Sequence, residues 1–483
     1  MSEHARLEPI GKVRTKVVAT LGPASRSTEM IGKLIEAGVD CFRLNASHSP
    51  REQRAETLKW IRAVADERDR PVAVLLDLGG PKIRLGRIVG DTVDCPLDGL
   101  FRLALANEAG LAHVFTCTCP EILEDLDIGD EVLFSDGTVG MRVTSKEPDG
   151  VTLVVTLPGR LRSGQGVNLP GATLRVAALT DNDLADVAWT RDHPVDYVGL
   201  SFARSAADVR LLRDELAKCG STARIITKIE KPQAVSNLDA IIEETDAIMV
   251  ARGDLGVEMD VALVPAIQKR IIAACHRARV PVITATQMLT SMEHSNRPTR
   301  AEASDVFNAV LDGTDAVMLS GETAIGEYPI ETVRMMSRIA GEAESIVTHH
   351  WRDPGPITRS GWITPTTEAI VEAACAACRK LEARLLVVAT HSGRTALAVA
   401  KQRRLTPTLA LTDNTQIARA MSLYWGVTPL CVEKLSSLEN ALEFALGWAR
   451  DHELAASGDT VVMIRGTVPG SRVHNALVVE QLR

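Results

Sequence analysis

One lysine and two carboxylates state the chemistry most plainly. Lys228 and Glu230 stand in ITKIE (Ile226 to Glu230) and Asp254 in VARGDLG (Val250 to Gly256), followed by Thr286 and Gln287 in ITATQML (Ile283 to Leu289). A cation beside two carboxylates suits Mg2+ held against a phosphate. Mg2+ takes one or two protein carboxylates and leaves its other positions to substrate oxygens and water, while the ammonium neutralises charge on a phosphoryl group in flight. Lys228 precedes Glu230 by two residues, so on a strand both point to one face. A buried ion-pair network is the plainer alternative, but it needs no Asp flanked by glycines. In ARGDLG the glycines let backbone N–H groups approach an anion. The chemistry indicated is phosphoryl transfer.

Further groups fall on the same pattern. Arg43 in FRLNASH offers a planar fork for a phosphate or carboxylate. Asn45, Ser47 and Asp77 are oxygen donors able to coordinate a cation or fix the Arg. Thr286 and Gln287 would end one strand, Ser320 and Glu322 the next, suited to proton relay or substrate contact, although each alone reads as a helix cap. Far along the chain, Thr390-His391-Ser392-Gly393-Arg394-Thr395 follows a strand and opens a helix, a credible phosphate loop.

These residues need a scaffold that brings strand ends together. Apolar runs begin near Lys16, Asp40, Val72, Tyr197, Arg224, Ala247, Pro281 and Ala316, eight in all, with amphipathic helical patterns such as Thr28 to Ala37 and Val264 to Arg279 between them. The spacing of about 23 to 35 residues is that of a βα unit. Eight such units favour a closed (β/α)8 barrel, whose active site lies at the carboxyl ends of the strands. Glu230 and Asp254 would then end strands five and six. The third and fourth runs are about 125 residues apart, roughly 95 more than a crossover needs. The excess alternates as strands do, at Glu131 to Phe134 and Val151 to Thr156, with turn signals at Asp136-Gly137 and Asp149-Gly150. It reads as a small β domain that covers the site as a lid. The barrel resumes at Thr180, a helix N-cap with Asp183 three residues on. WRDPGPITRSGWITP then reads as a linker to a C-terminal α/β domain. Its expected strands are Leu385–Ala389, Thr408–Leu411, Thr428–Val432, Thr460–Ile464 and Ala476–Val479, with helices Glu368–Leu381 and Leu438–Leu454. The expected domains are 1–80 with 176–350 (barrel), 81–175 (lid) and 351–483 (regulatory domain).

Composition narrows the partners. The 483 residues exceed one hydrophobic core. Net charge −8, from 54 basic and 62 acidic residues, argues against nucleic acid or anionic membrane, and 3% aromatics are too few for a base-stacking platform. The first residues lack the apolar core of a signal peptide and no apolar run reaches spanning length, so a cytoplasmic protein with reduced thiols is expected. Among the nine cysteines, Cys117 and Cys119 sit close, weak grounds for a metal site.

Together the motifs resemble the pyruvate kinase family over nearly the whole chain: RTKVVATLGPAS (Arg14 to Ser25), FRLNASH, GPKIR (Gly80 to Arg84), GVNLPG (Gly166 to Gly171), TKIE, ARGDLG, ATQML, NRPTRAEASDVFNAVLDG (Asn296 to Gly313) and MLSGETA (Met318 to Ala324). The resemblance implies a three-domain subunit in a homotetramer, transferring a phosphoryl group from phosphoenolpyruvate to ADP with Mg2+ to give pyruvate and ATP. Lys228 is similar to the lysine that stabilises the transferring group, and Glu230 and Asp254 to the Mg2+ ligands. Arg43, Gly253, Asp254 and Thr286 resemble substrate contacts, and Asn45 to His48 with Arg84 part of the nucleotide site. Protonation of the enolpyruvate intermediate falls near Thr286, with Ser320 and Glu322 in the relay. Thr390 to Thr395 resembles the phosphate site of an effector. Asn45, Ser47, Asp77 and Leu78 match the family's K+ site. Two departures stand out. Lys82 occupies a position where many members carry Glu, and Leu78 one where they carry Thr, a combination resembling the branch that works without K+. A lysine commonly precedes GVNLPG and reaches ATP; Gly164 and Gln165 stand there, leaving Arg160 or Arg162 to substitute. The competing readings are a catalytically silent sugar-phosphate sensor with the same fold and a Mg2+-dependent lyase; the retained Lys228, Glu230 and Asp254 oppose the first, and the nucleotide-like motifs the second.

Overall fold

The computed structural model describes residues 13–105, 111, 113–171, 177–347, 362–433, 438–466 and 474–482. Eight parallel strands close a barrel: β1 (Lys16–Thr20), β2 (Val39–Asn45), β3 (Ala73–Asp77), β4 (Tyr197–Leu200), β5 (Arg224–Ile229), β6 (Ala247–Ala251), β7 (Val282–Ala285) and β8 (Ala316–Leu319). All eight expected runs are strands, and β1 pairs with β8 at Lys16↔Ala316 to close the circle. The runs are apolar throughout because both faces are covered. Val18, Leu75, Ile226, Met249 and Met318 fill the interior, while Val17, Phe42, Leu76 and Val250 pack under the helices.

The helices start and stop where local chemistry dictates. Ser27 caps Thr28–Ala37 by accepting the Met30 N–H, and Gly38 ends it at φ +116°, a left-handed conformation that favours glycine. Thr180 and Asp183 form the expected capping box on Asp181–Trp189.

The insert between β3 and β4 has its own core, in which Phe101, Phe115 and Phe134 pack with Leu103, Met141 and Leu153. Its six-stranded sheet runs in the order Val167–Asn168, Glu131–Phe134, Val139–Glu147, Gly150–Leu157, Leu100–Ala104, Val114–Phe115, beside a ribbon of Thr92–Cys95 and Gly159–Arg162. The Asp136-Gly137 turn joins two of these strands, with Ser135, Asp136 and Gly137 all at positive φ. That turn packs over the barrel's upper rim, where a Cβ on Gly137 would lie 3.8 Å from Val257 Cγ1.

The C-terminal sheet runs Val427–Cys431, Thr408–Thr412, Leu385–Ala389, Thr460–Arg465, Ala476–Gln481, the last strand antiparallel. Its first strand lies one residue earlier than expected, and the flanking helices are Pro365–Lys380 and Leu438–Asp451. A helix not foreseen, Thr415–Met421, is capped by Asn414. Ala420 in its last turn and Leu423 just beyond it plug the lower mouth of the barrel, and Tyr197 donates from its hydroxyl to Ala420 O at 2.8 Å. The expected bounds at 175/176 and 350/351 lie outside the described residues, as does most of the expected linker. Among the described residues no helix is long and apolar enough to cross a membrane, and the nine cysteines are free. Cys117 donates to Cys119 O and Cys119 to Glu121.

Candidate active site

Lys228 is the penultimate residue of β5 and Glu230 follows the strand, so the pleat turns both toward the barrel axis. Lys228 Nζ lies 2.8 Å from Glu230 Oε1 and 3.5 Å from Asp77 Oδ1, and donates to Ser201 Oγ at 2.9 Å. Ser201 in turn donates to Leu78 O. Burial alone would push the Lys228 ammonium down, but Asp77 and Glu230 together hold it above its ordinary range. Glu230 is fully buried; its Oε2 accepts the Phe202 N–H at 2.6 Å, while Oε1 accepts no hydrogen bond and faces only the ammonium. Burial pushes its pKa up, Lys228 counteracts this, and the charge of Asp254 adds to the rise.

Asp254 lies three residues beyond β6, in the first turn of the short helix Arg252–Glu258, instead of at the strand end. The chain turns into a helix directly after Ala251, which keeps the carboxylate near the β5 pair without making it part of the sheet. It is half-buried and carries no hydrogen bond or ion pair among the described residues. Those residues hold no group of three or more His, Cys, Asp or Glu arranged around a metal position.

Arg43 ends on Asp77: Nε and Nη2 approach Oδ2 at 2.7 and 2.6 Å, and Nη1 donates to Thr20 Oγ1. Burial would raise Asp77, but Lys228 and Arg43 hold it below the usual carboxylate range. Asn45 Oδ1 accepts the Ser47 N–H at 3.0 Å. Leu78 is buried, with its carbonyl taken by Ser201. His48 sits among cations: partial burial and then Arg43, Arg84 and Lys82 hold its imidazole below the ordinary value. Lys82 is exposed. Arg84 donates from Nη1 to Gly164 O across the base of the insert. Arg160 is engaged with Thr92 and Asp94 along the ribbon, while Gln165 donates to Ser135 Oγ.

Thr286 follows β7 at φ +68°, a left-handed conformation rare for a β-branched residue and characteristic of functional sites. Arg252, paired with Asp305, donates to Thr286 O at 2.8 Å and so secures it. The Thr286 hydroxyl accepts the Gly253 N–H at 2.7 Å and donates to Ala285 O. Ser320 follows β8. Glu322 is only 2% exposed and accepts the Leu289 and Ser320 N–H groups, which ties the loops after β7 and β8 together. Burial holds the Glu322 carboxyl above its usual range. The strand ends thus bring Arg43, Asp77, Lys228, Glu230, Asp254 and Thr286 to one rim.

Sequence reasoning missed Ser201 and the Phe202 N–H; the only available signal was a hydroxyl directly after the apolar run YVGL. The loop Thr390–Thr395 is built differently from the expectation of open hydroxyls. Thr390 is buried and accepts the Gly393 N–H, while Thr395 is buried against His474 Nδ1 at 3.0 Å. His391, Ser392 and Arg394 are the exposed members, His391 beside Asp413 Oδ1 at 3.2 Å.

This arrangement defines a class: a barrel phosphotransferase with its lysine and carboxylates at the strand ends under an inserted β domain. The family model for the barrel domain of pyruvate kinase matches residues 12–333, and that for its alpha/beta domain residues 368–480. Pyruvate kinase 2 of Synechocystis is 40% identical over 463 residues, spanning 95% of this chain and 77% of the relative. The pyruvate kinase of Mycobacterium intracellulare is 40% identical over 464 residues, 95% and 96% of the two chains. A crystal structure of a pyruvate kinase from Cryptosporidium parvum superposes with TM-score 0.92 at 32% identity, covering 98% of this chain and 97% of the other. The chain belongs to the pyruvate kinase family. Its reaction is transfer of a phosphoryl group from phosphoenolpyruvate to ADP, giving pyruvate and ATP.

Proposed function

We propose that the transfer occurs between Lys228 and the Glu230–Asp254 pair, with Mg2+ held by those two carboxylates. The donor set fits: Glu230 Oε1 is buried without a hydrogen bond, Asp254 is unpaired, and both offer hard oxygen ligands. The bound ion would neutralise charge on the phosphoryl oxygens. Lys228, kept protonated by Asp77 and Glu230, places its ammonium against the group in transit. Arg43, with Asp77 fixing its fork, holds the phosphoryl end of the substrate. The Gly253 N–H, now spent on Thr286 Oγ1, turns to the substrate carboxylate. The phosphorus–oxygen bond to the enol breaks, a bond forms to the terminal phosphate oxygen of ADP, and the enolate takes a proton at its methylene carbon from the Thr286 side. Ser320 and Glu322 brace that side. Asn45, His48 and Arg84 receive the nucleotide phosphates, and the insert, delimited at 81–175, closes over them.

The observation that carries this reading is the buried Glu230 oxygen that faces only an ammonium. A coupled assay with phosphoenolpyruvate, ADP and Mg2+ tests it: activity should require all three, and Glu230→Gln should raise the half-saturating Mg2+ by tenfold or more. An unchanged Mg2+ requirement in that variant rejects the assignment.

Three finer readings extend the proposal. Lys82, beside Arg43 and Arg84 around His48, supplies the charge that K+ supplies in other members, so K+ is not required; Asn45 Oδ1 and Asp77 Oδ2 are already engaged at that site. Ser392, Gly393 and Arg394, on a frame fastened by Thr390 and Thr395, receive the phosphate of an effector. The working form is a cytoplasmic homotetramer, an expectation that rests on the family alone.

A further inference from the structure

The insert joins the barrel through two crossings of the chain, and one cluster of side chains touches both. On the outgoing crossing Gly80, at φ +64°, presses against Phe202: a Cβ there would lie 2.8 Å from Phe202 Cδ2. On the returning crossing Asn168 donates from Nδ2 to Glu258 Oε1 at 3.0 Å. Lys231 links the two, with Nζ 2.6 Å from the same Glu258 oxygen and 5.8 Å from the centroid of the Phe202 ring. Asn168 and Glu258 are both buried, and that ammonium is the cation paired with Glu258.

The same residues are chained to the carboxylates of the site. Lys231 directly follows Glu230 in sequence. Phe202, held at φ +55°, turns its N–H onto Glu230 Oε2 at 2.6 Å. Glu258 closes the short helix whose first turn carries Asp254. Nothing in the transfer chemistry calls for Lys231. Its contacts lead to the hinge on one side and to the two carboxylates on the other.

We propose that Lys231 is a positioning residue that sets the hinge of the insert and the placement of Glu230 and Asp254 together, so that the attitude of the insert and affinity for a divalent cation are linked. The inference rests on the reading that Glu230 and Asp254 hold Mg2+. By reciprocity, whatever the hinge does to metal affinity, the metal does to the hinge by the same factor.

Mn2+ binding to the full chain without substrates, counted from the electron paramagnetic resonance signal of the free ion, tests this apart from turnover. Lys231→Met and Asn168→Leu should each weaken Mn2+ binding about tenfold, as loss of supporting contacts around a metal does, and Lys231→Arg should recover most of it. The double variant Lys231→Met/Asn168→Leu should bind no more weakly than the worse single one, because both break one chain of contacts. Wild-type Mn2+ affinity in Lys231→Met, or losses that add in the double variant, overturns the linkage. Glu230→Gln separates the two levels. If it binds Mn2+ normally, the metal reading itself fails; if it loses Mn2+ while Lys231→Met keeps it, only the linkage fails. Should Lys231→Met not fold, Asn168→Leu, altered on the insert's side alone, decides the matter by the same criterion.

Discussion

Lys228 and Glu230 face each other at 2.8 Å, two residues apart at the end of one strand, with Asp77 3.5 Å from the same ammonium. A lone lysine buried this deeply would lose its proton; two flanking carboxylates keep it charged. The pair is therefore set up before any substrate arrives, the preorganisation that makes an electrostatic contribution effective in a transition state.

Lys228→Met should lower kcat by about a thousandfold or more while changing the apparent affinity for phosphoenolpyruvate far less. Steady-state kinetics with saturating Mg2+ measure it. Retention of more than a tenth of wild-type kcat would remove Lys228 from the transfer step.

Lys82 leads to a prediction about monovalent cations. The enzyme should run at nearly full rate when bulky tetramethylammonium is the only monovalent cation, since the ammonium already present repels a second charge nearby. Lys82→Glu should impair it, with partial rescue by K+. A rise in wild-type activity above about fivefold on adding K+ at constant ionic strength contradicts the internal-cation reading.

Arg394→Ala should remove the response to phosphorylated effectors, because an effector acts only through differential affinity for two states. Titrations with sugar phosphates and with AMP compare the variant with wild type. Activation of the variant at the wild-type effector concentration would place the site elsewhere.

His276 gives the pH prediction. It is buried, its Nε2 pairs with Gly313 O at 2.7 Å, and burial followed by Arg403 and Lys401 holds its pKa well below the ordinary value. The unfolded chain therefore binds a proton that the folded chain refuses, so the contribution of the neutral ring is complete above the unfolded value of about 6.5 and is lost as pH falls toward the folded one. Thermal melts between pH 7.5 and 5 should show a decline in Tm that His276→Gln flattens. An identical slope in both proteins would show that other groups govern it.

The eight barrel strands were legible because each is buried on both faces and so reads as an unbroken apolar run, and Lys228, Glu230 and Thr286 were legible because they interrupt or end such runs. Asp254 reads from sequence as the end of a strand because the glycines around it hide the short helix Arg252–Glu258. Ser201 and the Phe202 N–H were invisible: one is a common hydroxyl, and the other is a backbone group whose direction depends on a positive φ that no side chain announces. Thr415–Met421 escaped because seven residues beginning on a polar cap carry too little periodicity, and Ala420 and Leu423 become core only through the barrel mouth they fill. The role of Thr395 depends on His474, about 80 residues away in sequence, which propensity cannot reach.

The insert also bears on how the chain is made. β3 must pair with β4 at Leu75↔Tyr197, and at ribosomal speeds of about 5–20 residues per second the partner emerges roughly 6 to 24 seconds later. In that interval the insert can condense on its own phenylalanine core. Its two ends are already tied by the bridge between Arg84 and Gly166 and by the Val167 N–H to Ile83 O. Once tied, the open loop between the two barrel strands shrinks from about 120 residues to about 40, lowering its closure cost by about 1 kcal/mol. The piece that interrupts the barrel in sequence thus keeps the half-made barrel's exposed edge within reach of the strand it awaits.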